Sequence, residues 1–499
     1  MLLANRGLRV VTIERDAAVY ALPRAVMLDG EIVRALQPSG HAAPVDAMLQ
    51  KIRPGDRAGF ANSRREWLFG GESVDFGLNG WQPANFFSQP ELEGYLRDQV
   101  LQHPNITSFV PITVTGITQD SAQVTLEVTS PENPTQTISA TWLIACDGAS
   151  SFTRRNLGIE WKSLGYDHDW LVVDVRTRPG HTLGNATMQV CDPDRLTTYV
   201  ATKDPGRRWE FRLLPGETRD MMLDPERIMS LIDPWTPRGT YDILRAAVYQ
   251  FHAATAQDWR KGRILIAGDA AHQTPPFLGQ GMNTGMRDAV NLAWKLPLVI
   301  NGVCSERLLD SYQAERQAHA EDLIEWAVSI GRLMEHMADV ERAQREGRMP
   351  PQTPGGLKAA GYGQGRGQPP LKSGVIIAGQ VSDQGATGHL FAQPVVRDAA
   401  GHECRLDDLL GENFALVGKT AASVQLTPAN RALFESIGGH IIHLDGLTPV
   451  RGHFDRIFND ADVVLVRPDR YIFGHSDSRH TADVLVEALA HALTLQEQL

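Results

Sequence analysis

The chain has 499 residues, of which 42% are hydrophobic and 21% are charged, a balance ordinary for a globular protein long enough for about two or three domains. Its formal net charge of −11 argues against a nucleic-acid-binding or anionic-membrane surface, and no apolar run is long enough to predict a membrane-spanning helix. The 4 cysteines show neither metal-ligand nor C-x-x-C spacing, so we expect buried thiols, no metal and a cytoplasmic location.

The chain opens with a short strand that follows a helix end. Met1–Arg6 is typical of the last turns of a helix closed by Gly7, and Leu8–Ile13 is a largely apolar, β-branched run that ends at Glu14. Helix end, glycine, strand and acid make up the second half of a dinucleotide-binding βαβ unit.

The glycine-rich loop of such a unit normally precedes the acid by about 20 residues, yet only 13 residues precede Glu14. We therefore expect a strand and the G-x-G-x-x-G loop to lie upstream of Met1. A start codon placed too late is favoured over a chain cut for production or a naturally truncated relative. On this expectation the 499-residue chain binds its dinucleotide weakly or not at all, and upstream codons restore binding.

The following elements predict a mixed α/β protein. Ile106–Ser130 is typical of short strands, and Thr141–Gly148 of a buried strand that runs into a turn. Ser305–Met334 has the apolar spacing of a long amphipathic helix. The proline- and glycine-rich Met349–Gly374 predicts a linker, and further strands and a closing helix follow it.

The stretch Gly262–Leu296 contains the clearest chemical signal. A strand, Ile264–Ala267, stops at Gly268-Asp269, and a loop with prolines and glycines leads into a helix near Gly281–Asn283. A carboxylate at a strand end can bind ribose hydroxyls, and a helix N-terminus directs N–H groups toward an electron-rich ligand.

This stretch resembles the second flavin-binding motif of the class A flavoprotein aromatic hydroxylases. "CDGASSFTRR" resembles their D-G-x-x-S-x-x-R motif, and "LPRAV" and "FFSQPELEGYL" resemble two further flavin-contacting segments, all in the family's order. Within the family the chain is most similar to the 3-(3-hydroxyphenyl)propionate hydroxylases. The resemblance covers nearly the entire chain.

The resemblance implies the residues of the site. Those expected to bind FAD are Glu14, Arg15, Arg24, Gln89, Asp147, Gly148, Arg154, Gly268, Asp269, Pro275, Gly281, Met282 and Asn283. Tyr199 and Arg212 are expected to act on the substrate from the middle sheet, with the alternatives that Tyr199 is a packed sheet aromatic and Arg212 pairs with Glu210 or Glu217. His272, Cys146 and Trp294 are expected to be structural.

The resemblance also implies the reaction. NAD(P)H reduces FAD, O2 forms a flavin C4a-hydroperoxide, and its distal oxygen hydroxylates a phenolic acid similar to 3-hydroxyphenylpropionate in aromatic catabolism. Hydroxylation of polycyclic phenols or polyketides, or a flavin-free binding role, stays open. A small aromatic substrate and O2 are the expected partners, without nucleic acid or membrane, and a homodimer is allowed.

The expected architecture is a Rossmann-like FAD-binding domain with an inserted β-sheet substrate domain and a thioredoxin-like C-terminal domain. The FAD-binding domain is expected to be N-terminally incomplete, with substrate-domain segments interleaved near 50–90, and the C-terminal domain to have no redox cysteine pair. The predicted boundaries are 1–165 and 262–345 for the FAD domain, 166–261 for the substrate domain, 346–374 for the linker and 375–499 for the C-terminal domain.

Overall fold

The computed structural model describes residues 1–22, 24–53, 55–130, 135–352, 368–382 and 385–493. It confirms the predicted mixed α/β class. The strands are β1 (Val10–Ile13), β2 (Met27–Asp29), β3 (Gln50–Lys51), β4 (Arg57–Ala61), β5 (Trp67–Glu72), β6 (Ala84–Phe86), β7 (Ile106–Phe109), β8 (Thr113–Gln119), β9 (Val124–Thr129), β10 (Gln136–Ala140), β11 (Leu143–Ala145), β12 (Trp161–Thr177), β13 (Thr187–Val190), β14 (Thr197–Ala201), β15 (Gly206–Arg212), β16 (Tyr241–Ala256), β17 (Arg260–Lys261), β18 (Ile264–Ile266), β19 (His272–Gln273), β20 (Val395–Arg397), β21 (Glu403–Arg405), β22 (Ala415–Gly418), β23 (His440–His443), β24 (Thr448–Arg451), β25 (Val463–Val466) and β26 (Ile472–His475).

The helices are α1 (Leu2–Asn5), α2 (Gly30–Ala35), α3 (Ala42–Met48), α4 (Gln89–Gln102), α5 (Phe152–Asn156), α6 (Arg219–Met222), α7 (Pro225–Ile232), α8 (Gly281–Ile300), α9 (Asp310–Arg345), α10 (Leu406–Leu410), α11 (Pro428–Ser436) and α12 (Ala482–Ala492). Short 3-10 helices cover Gly268–Ala270, Pro276–Leu278, Glu306–Leu309, Ala378–Gln380 and Arg456–Asn459.

The first elements follow the order predicted from the sequence. Helix α1 is followed by Gly7, whose φ of +84° lies in the left-handed region that favours glycine at a helix end. Strand β1 then pairs in parallel with β7, with Val10 opposite Ile106. Strand β11 pairs in parallel with β18. Both pairs belong to the part of the chain predicted to bind FAD.

An eight-stranded sheet is the largest in the described structure, with the order β19-β16-β12-β15-β14-β13-β4-β5. Strands β4 and β5 come from the segment predicted to interleave, and β12 begins at Trp161. One face of this sheet packs against α6 and α7 through a core that includes Tyr199, Trp209, Met222 and Ile228. The opposite face is turned toward the Gly268–Gly281 loop.

A four-stranded sheet forms the centre of the C-terminal region. Its order is β23-β22-β25-β26, with β22 parallel to β23 and antiparallel to β25, and α11 and α12 pack against it. This is a βαβ unit followed by a β-hairpin and a helix, the arrangement that the thioredoxin-like prediction requires. Trp294 of α8 packs against Phe414 of this region with ring centroids 5.5 Å apart, as a structural residue should.

The predicted domain boundaries stay predictions, and residues 353–367 of the predicted linker lie outside the described residues. In the described part of the chain, no helix combines the length and apolar character needed to cross a membrane. Across the same residues, no group of three or more His, Cys, Asp or Glu side chains is arranged to hold a metal ion.

Candidate cofactor and substrate cavity

Two motif loops meet because the strands before them are parallel neighbours. Ala145 of β11 lies opposite Ile266 of β18, and the Ala267 N–H donates to the Ala145 carbonyl at 3.0 Å. The carboxyl ends of both strands therefore open at one edge of the sheet, where α/β proteins bind ligands. Asp147-Gly148 and Gly268-Asp269 follow directly on these two ends.

The second loop is closely packed against the helix that follows it. Gly268 has a φ of +62°, and a Cβ added at Gly285 of α8 would lie 3.0 Å from the Gly268 Cα, so this close contact favours glycine at both positions. By contrast, a Cβ added at Gly148 or Gly281 would meet no atom within 4 Å. Helix α8 begins at Gly281, so its first N–H groups and positive dipole end are available to a ligand.

These loops form one wall of a cavity of about 1410 Å³. Typical small-molecule pockets have about 300–1,000 Å³, so the space exceeds the needs of one small ligand. The face of the eight-stranded sheet forms the opposite wall. Residues that line the cavity from the sheet include Val172, Thr187, Gln189, Thr198, Val200, Arg208, Glu210, Arg245 and Tyr249.

The strand register orders the sheet wall into two rows of side chains. Gln189, Thr198, Glu210 and Val172 lie side by side across β13, β14, β15 and β12. Thr187, Val200, Arg208, Asp174 and Arg245 form the next row. Successive residues of a strand face opposite sides of a sheet, so Tyr199 and Trp209, between these rows, face away from the cavity.

The second row contains a paired charge cluster. Arg208 donates to both carboxylate oxygens of Asp174, at 2.7 Å and 3.1 Å, and Arg245 lies 3.5 Å from the same carboxylate. Arg208 also donates to the main-chain carbonyl of Arg24 at 2.7 Å, which connects the sheet to the "LPRAV" segment. The cluster therefore holds a predicted cofactor segment over the sheet wall.

Several carboxyl groups of the cavity have raised pKa values, among them Asp269 and Glu210. Burial raises the pKa of Asp269, with His272 and Arg24 opposing the shift. Burial likewise raises the pKa of Glu210 to about 7; Arg208 lowers it and Asp174 raises it further. Perturbed carboxyl groups in a large cavity are typical of functional sites.

Several predicted cofactor residues support the loops instead of lining the cavity. Arg154 donates to the carbonyls of Ala149 at 3.2 Å and Ala270 at 3.3 Å, so it joins the two motif loops from behind, and its guanidinium lies 4.0 Å from the Trp161 ring centroid. Asn283 donates to the carbonyls of Met27 and Gly279. Glu14 and Pro275 also do not line the cavity.

The other predicted cofactor residues line the cavity together: Arg15, Arg24, Gln89, Asp147, Gly148, Gly268, Asp269, Gly281 and Met282. Asp147 in addition accepts hydrogen bonds from the Ser151 hydroxyl at 2.5 Å and the Thr153 N–H at 2.9 Å, so it fixes the start of α5. Gln89 accepts a hydrogen bond from the Ala25 N–H at 2.9 Å.

The two residues predicted to act on the substrate do not line this cavity. The Tyr199 hydroxyl donates to the Gly184 carbonyl at 2.7 Å within the core on the far face of the sheet. Arg212 shares a face with Glu210 but lies one pleat further, where it pairs with Glu335 and contacts His168. Tyr199 is therefore a packed aromatic of the sheet, which is the alternative prediction for it. Arg212 pairs with Glu335, and not with Glu210 or Glu217 as its alternative prediction has it.

Cys146 is also placed differently from the expectation of a buried thiol. It is exposed and lines the cavity beside Asp147, whereas Cys191 and Cys304 are buried. The surrounding protein and the negative charges of Asp288 and Asp147 raise the pKa of the Cys146 thiol to about 11. The thiol is therefore protonated at neutral pH and is a poor nucleophile.

Sequence reasoning missed Asp288, which positions the Gly268 loop. This fully buried carboxylate on α8 accepts hydrogen bonds from the Gly268 N–H at 3.0 Å, His272 Nε2 at 2.8 Å and Arg316 Nε at 3.0 Å. Its spacing of 20 residues from Gly268 gives no local signal, although its place on the helix after the loop could have suggested it. His272, which stacks on Trp259, is structural as expected.

Residues from the C-terminal region complete the cavity. His389, Leu390 and Tyr471 line it beside the Gly279–Met282 segment. A buried ion pair secures this region, because Arg34 donates to both carboxylate oxygens of Asp407 at 2.8 Å and 2.7 Å. No motif in the sequence indicated that this region reaches the site.

The residues of the cavity fit the FAD that the sequence predicts. The open space beside Gly148 and Gly281 allows a planar ligand to approach the backbone, and the α8 N-terminus can bind its electron-rich edge. Among the described residues no hydrogen bond or ion pair engages the Asp269 carboxylate, so its oxygens can accept ribose hydroxyls. Arg24 supplies a cation near the same carboxylate.

Comparisons with known proteins identify the family of the chain. The model of the family "FAD binding domain" matches residues 1–327, and that of "HcaD C-terminal domain" matches residues 388–492. A 3-(3-hydroxy-phenyl)propionate/3-hydroxycinnamic acid hydroxylase of Klebsiella pneumoniae is 33% identical over 99% of this chain and 92% of its own length. A protein of the same name from Escherichia coli is 31% identical over 94% of this chain and 88% of its own length.

Solved structures share the fold. The aklavinone-11 hydroxylase in a ternary complex with FAD and aklavinone has a TM-score of 0.79 at 24% identity, covering 99% of this chain and 96% of that one. The flavin-dependent monooxygenase PieE, in complex with FAD and substrate, has a TM-score of 0.77 at 20% identity and the same coverage. The resemblance predicted from the motifs is confirmed.

Proposed function

The chain belongs to the FAD-binding-domain family of flavoprotein aromatic hydroxylases, and from that premise we propose that it hydroxylates a phenolic aromatic acid similar to 3-hydroxyphenylpropionate. The reaction consumes NAD(P)H and O2 and adds a hydroxyl group to the ring carbon next to the existing one. A cytoplasmic location accompanies this proposal, since NAD(P)H is a metabolic cofactor and the scattered cysteines suit a reducing compartment.

One observation carries the proposal: a single cavity lies between the motif loops and the eight-stranded sheet, which we assign as its cofactor wall and its substrate wall. The Gly268–Gly281 loop and the α8 N-terminus form the first, and the sheet rows around Thr198 and Glu210 form the second. Its volume of about 1410 Å³ accommodates a cofactor and an aromatic ring together. The printed names of the relatives support the choice of a phenolic acid.

The cavity residues have distinct tasks in this proposal. FAD, when bound and reduced by NAD(P)H, supplies the activated oxygen, because the chemistry of the reaction belongs to the cofactor. Asp269, Arg24 and the α8 N-terminus would hold it. Arg57 and Arg245 also line the cavity and would attract the substrate carboxylate.

The walls would also exclude water from the reacting ring. Val172 and Val200 of the sheet and Phe277 of the loop give the cavity apolar surfaces. The Gln189 side chain donates weakly to the Phe277 carbonyl at 3.5 Å, and the Thr198 hydroxyl donates to Gln189 Oε1 at 2.7 Å. The first contact joins the loop wall to the sheet wall, and the second orients the Gln189 side chain within the sheet wall.

Substrate-stimulated NAD(P)H consumption tests the proposal. The flavin-loaded protein, with FAD in excess, receives NADH or NADPH and either 3-(3-hydroxyphenyl)propionate or 3-phenylpropionate, which lacks the phenol. We expect stimulation and a dihydroxylated product with the first acid alone. No stimulation by any phenolic acid would refute the proposal.

A second candidate is hydroxylation of larger, polycyclic phenols. The observation that favours it is the cavity volume, which exceeds the usual 300–1,000 Å³ range. A panel of polycyclic phenols in the same assay separates the two. Stimulation by polycyclic compounds alone would favour this candidate over the phenolic acid.

A further inference from the structure

Glu210 is a buried carboxylate at the centre of the sheet wall. It is 4% exposed and lines the cavity, with Thr198 and Val172 as its cross-strand neighbours. In the part of the chain that the structure describes, no hydrogen bond or ion pair engages its carboxylate. Asp174, one row away, by contrast accepts two hydrogen bonds from Arg208.

A buried carboxylate without a partner is costly, because its negative charge loses the solvation of water. A smaller polar or apolar residue would fill the same position between Thr198 and Val172 without that cost. Buried, unpartnered ionisable groups in a cavity are candidates for proton transfer. The raised pKa of Glu210, about 7, makes its carboxylate a stronger base than an ordinary glutamate at neutral pH.

We propose that Glu210 accepts the proton of the substrate's phenolic hydroxyl, so that the ring reacts as a phenolate. This inference rests on the proposed function. The phenol O–H bond breaks, a new O–H bond forms on the Glu210 carboxylate, and the electron pair stays on the substrate oxygen. That pair enriches the neighbouring ring carbon in electron density, which an electrophilic oxygen requires. No electron is exchanged in this step.

The surroundings of Glu210 suit this transfer. Arg208 on the same strand favours a nearby phenolate, and its bidentate pairing with Asp174 keeps it from neutralising Glu210 directly. The charged and titratable groups that line the cavity around Glu210 are Arg208 on β15, Arg245, Tyr249 and His252 on β16, and Arg24 and Asp269 on the opposite wall. Asp174 on β12 pairs with Arg208 and raises the pKa of Glu210 without lining the cavity.

The test measures the pH dependence of turnover. The flavin-loaded enzyme converts 3-(3-hydroxyphenyl)propionate with NAD(P)H at a series of pH values, and kcat is followed against pH. A general base acts in its ionised form, so the wild-type kcat should fall as the pH drops through the pKa of Glu210, about 7. Glu210→Gln should lack this acid limb.

The size of kcat gives the second readout. Removal of a general base typically costs about 10²–10⁴-fold in rate, so kcat of Glu210→Gln should fall in that range while Glu210→Asp recovers part of it. Binding of 3-(3-methoxyphenyl)propionate, which has no phenolic proton, should be the same in the wild type and Glu210→Gln. Glu226→Gln, at a carboxylate with a side chain 73% exposed and paired with Arg238, is the matched control and should behave as the wild type.

The outcomes separate the two proposals. If the wild type hydroxylates the phenol and Glu210→Gln keeps the wild-type kcat and its acid limb, the role of Glu210 is refuted while the proposed function stands. Loss of methoxy-analogue binding in Glu210→Gln, with Glu210→Asp failing to recover kcat, would show a merely structural role and also refute it. If no phenolic acid binds to the wild type, both proposals fail.

Discussion

Replacing Asp269 with asparagine should weaken FAD binding without destabilising the cofactor-free protein. The carboxylate lines the cavity at the end of β18, and no described residue engages it in a hydrogen bond or ion pair. If it accepts a flavin ribose hydroxyl, the substitution removes a charge-assisted hydrogen bond of about 1.5–3 kcal/mol. That corresponds to roughly a ten- to hundredfold loss of FAD affinity.

Without FAD, the Asp269→Asn protein should be as stable as the wild type or more stable. Burial raises the pKa of Asp269, so the ionised carboxylate costs folding free energy once the pH exceeds the pKa of the unfolded chain. Asparagine removes this cost at neutral pH. A residue held only for structure would show the reverse, with stability falling on substitution.

Two measurements on the same variants check this reasoning. Flavin fluorescence titration gives the FAD affinity, and thermal unfolding without FAD gives the stability. Asp147→Asn is the contrasting control, because Asp147 accepts hydrogen bonds from Ser151 and Thr153 and should lose about 1–3 kcal/mol of stability. Unchanged FAD affinity in Asp269→Asn, or a lowered melting temperature without FAD, would refute the assignment.

Three further predictions concern stability. The pKa of Glu210 rises from 4.5 to about 7 on folding, so the ionised carboxylate destabilises the wild type as the pH rises from 4.5 to 7. Glu210→Gln should therefore gain up to about 3 kcal/mol of stability relative to the wild type over this range. A stability difference between the two proteins that is the same at both pH values, measured by urea unfolding, would contradict this prediction. Arg34→Met leaves the buried Asp407 carboxylate without its bidentate partner and should cost about 3–5 kcal/mol, whereas an unchanged melting temperature would contradict that reasoning. Tyr199→Phe should lose about 1 kcal/mol with the hydrogen bond to Gly184 and keep its kcat and KM; a large fall in kcat would instead restore Tyr199 as a catalytic residue.

Local patterns predicted the cofactor wall. Gly268-Asp269 at a strand end and a helix that begins at Gly281 are consecutive in sequence, so their geometry follows from neighbouring residues. Even here the pattern could not separate residues that touch the cavity from residues that support it. Arg154 belongs to the motif, yet it acts from behind, because its side chain runs to the carbonyls of two loops brought together by the β11–β18 pairing.

The sheet wall of the cavity could not be predicted in the same way. Strand β14 is buried on both faces, so alternation of polar and apolar residues does not show which side of Thr197–Ala201 faces the cavity. The prediction chose Tyr199, whereas the register turns its neighbours Thr198 and Val200 toward the cavity. The contribution of Tyr471 was equally hidden, since it depends on how a distant region packs against α8.

The most direct test of the central claim follows the oxygen atom. The flavin-loaded protein converts 3-(3-hydroxyphenyl)propionate under ¹⁸O2 with NAD(P)H, and mass spectrometry determines the label in the product. If one cavity holds cofactor and phenolic acid together, each dihydroxylated product contains one ¹⁸O atom on the ring, and product formation matches NAD(P)H consumption. NAD(P)H consumption without labelled product, in a protein that retains FAD, would contradict the account.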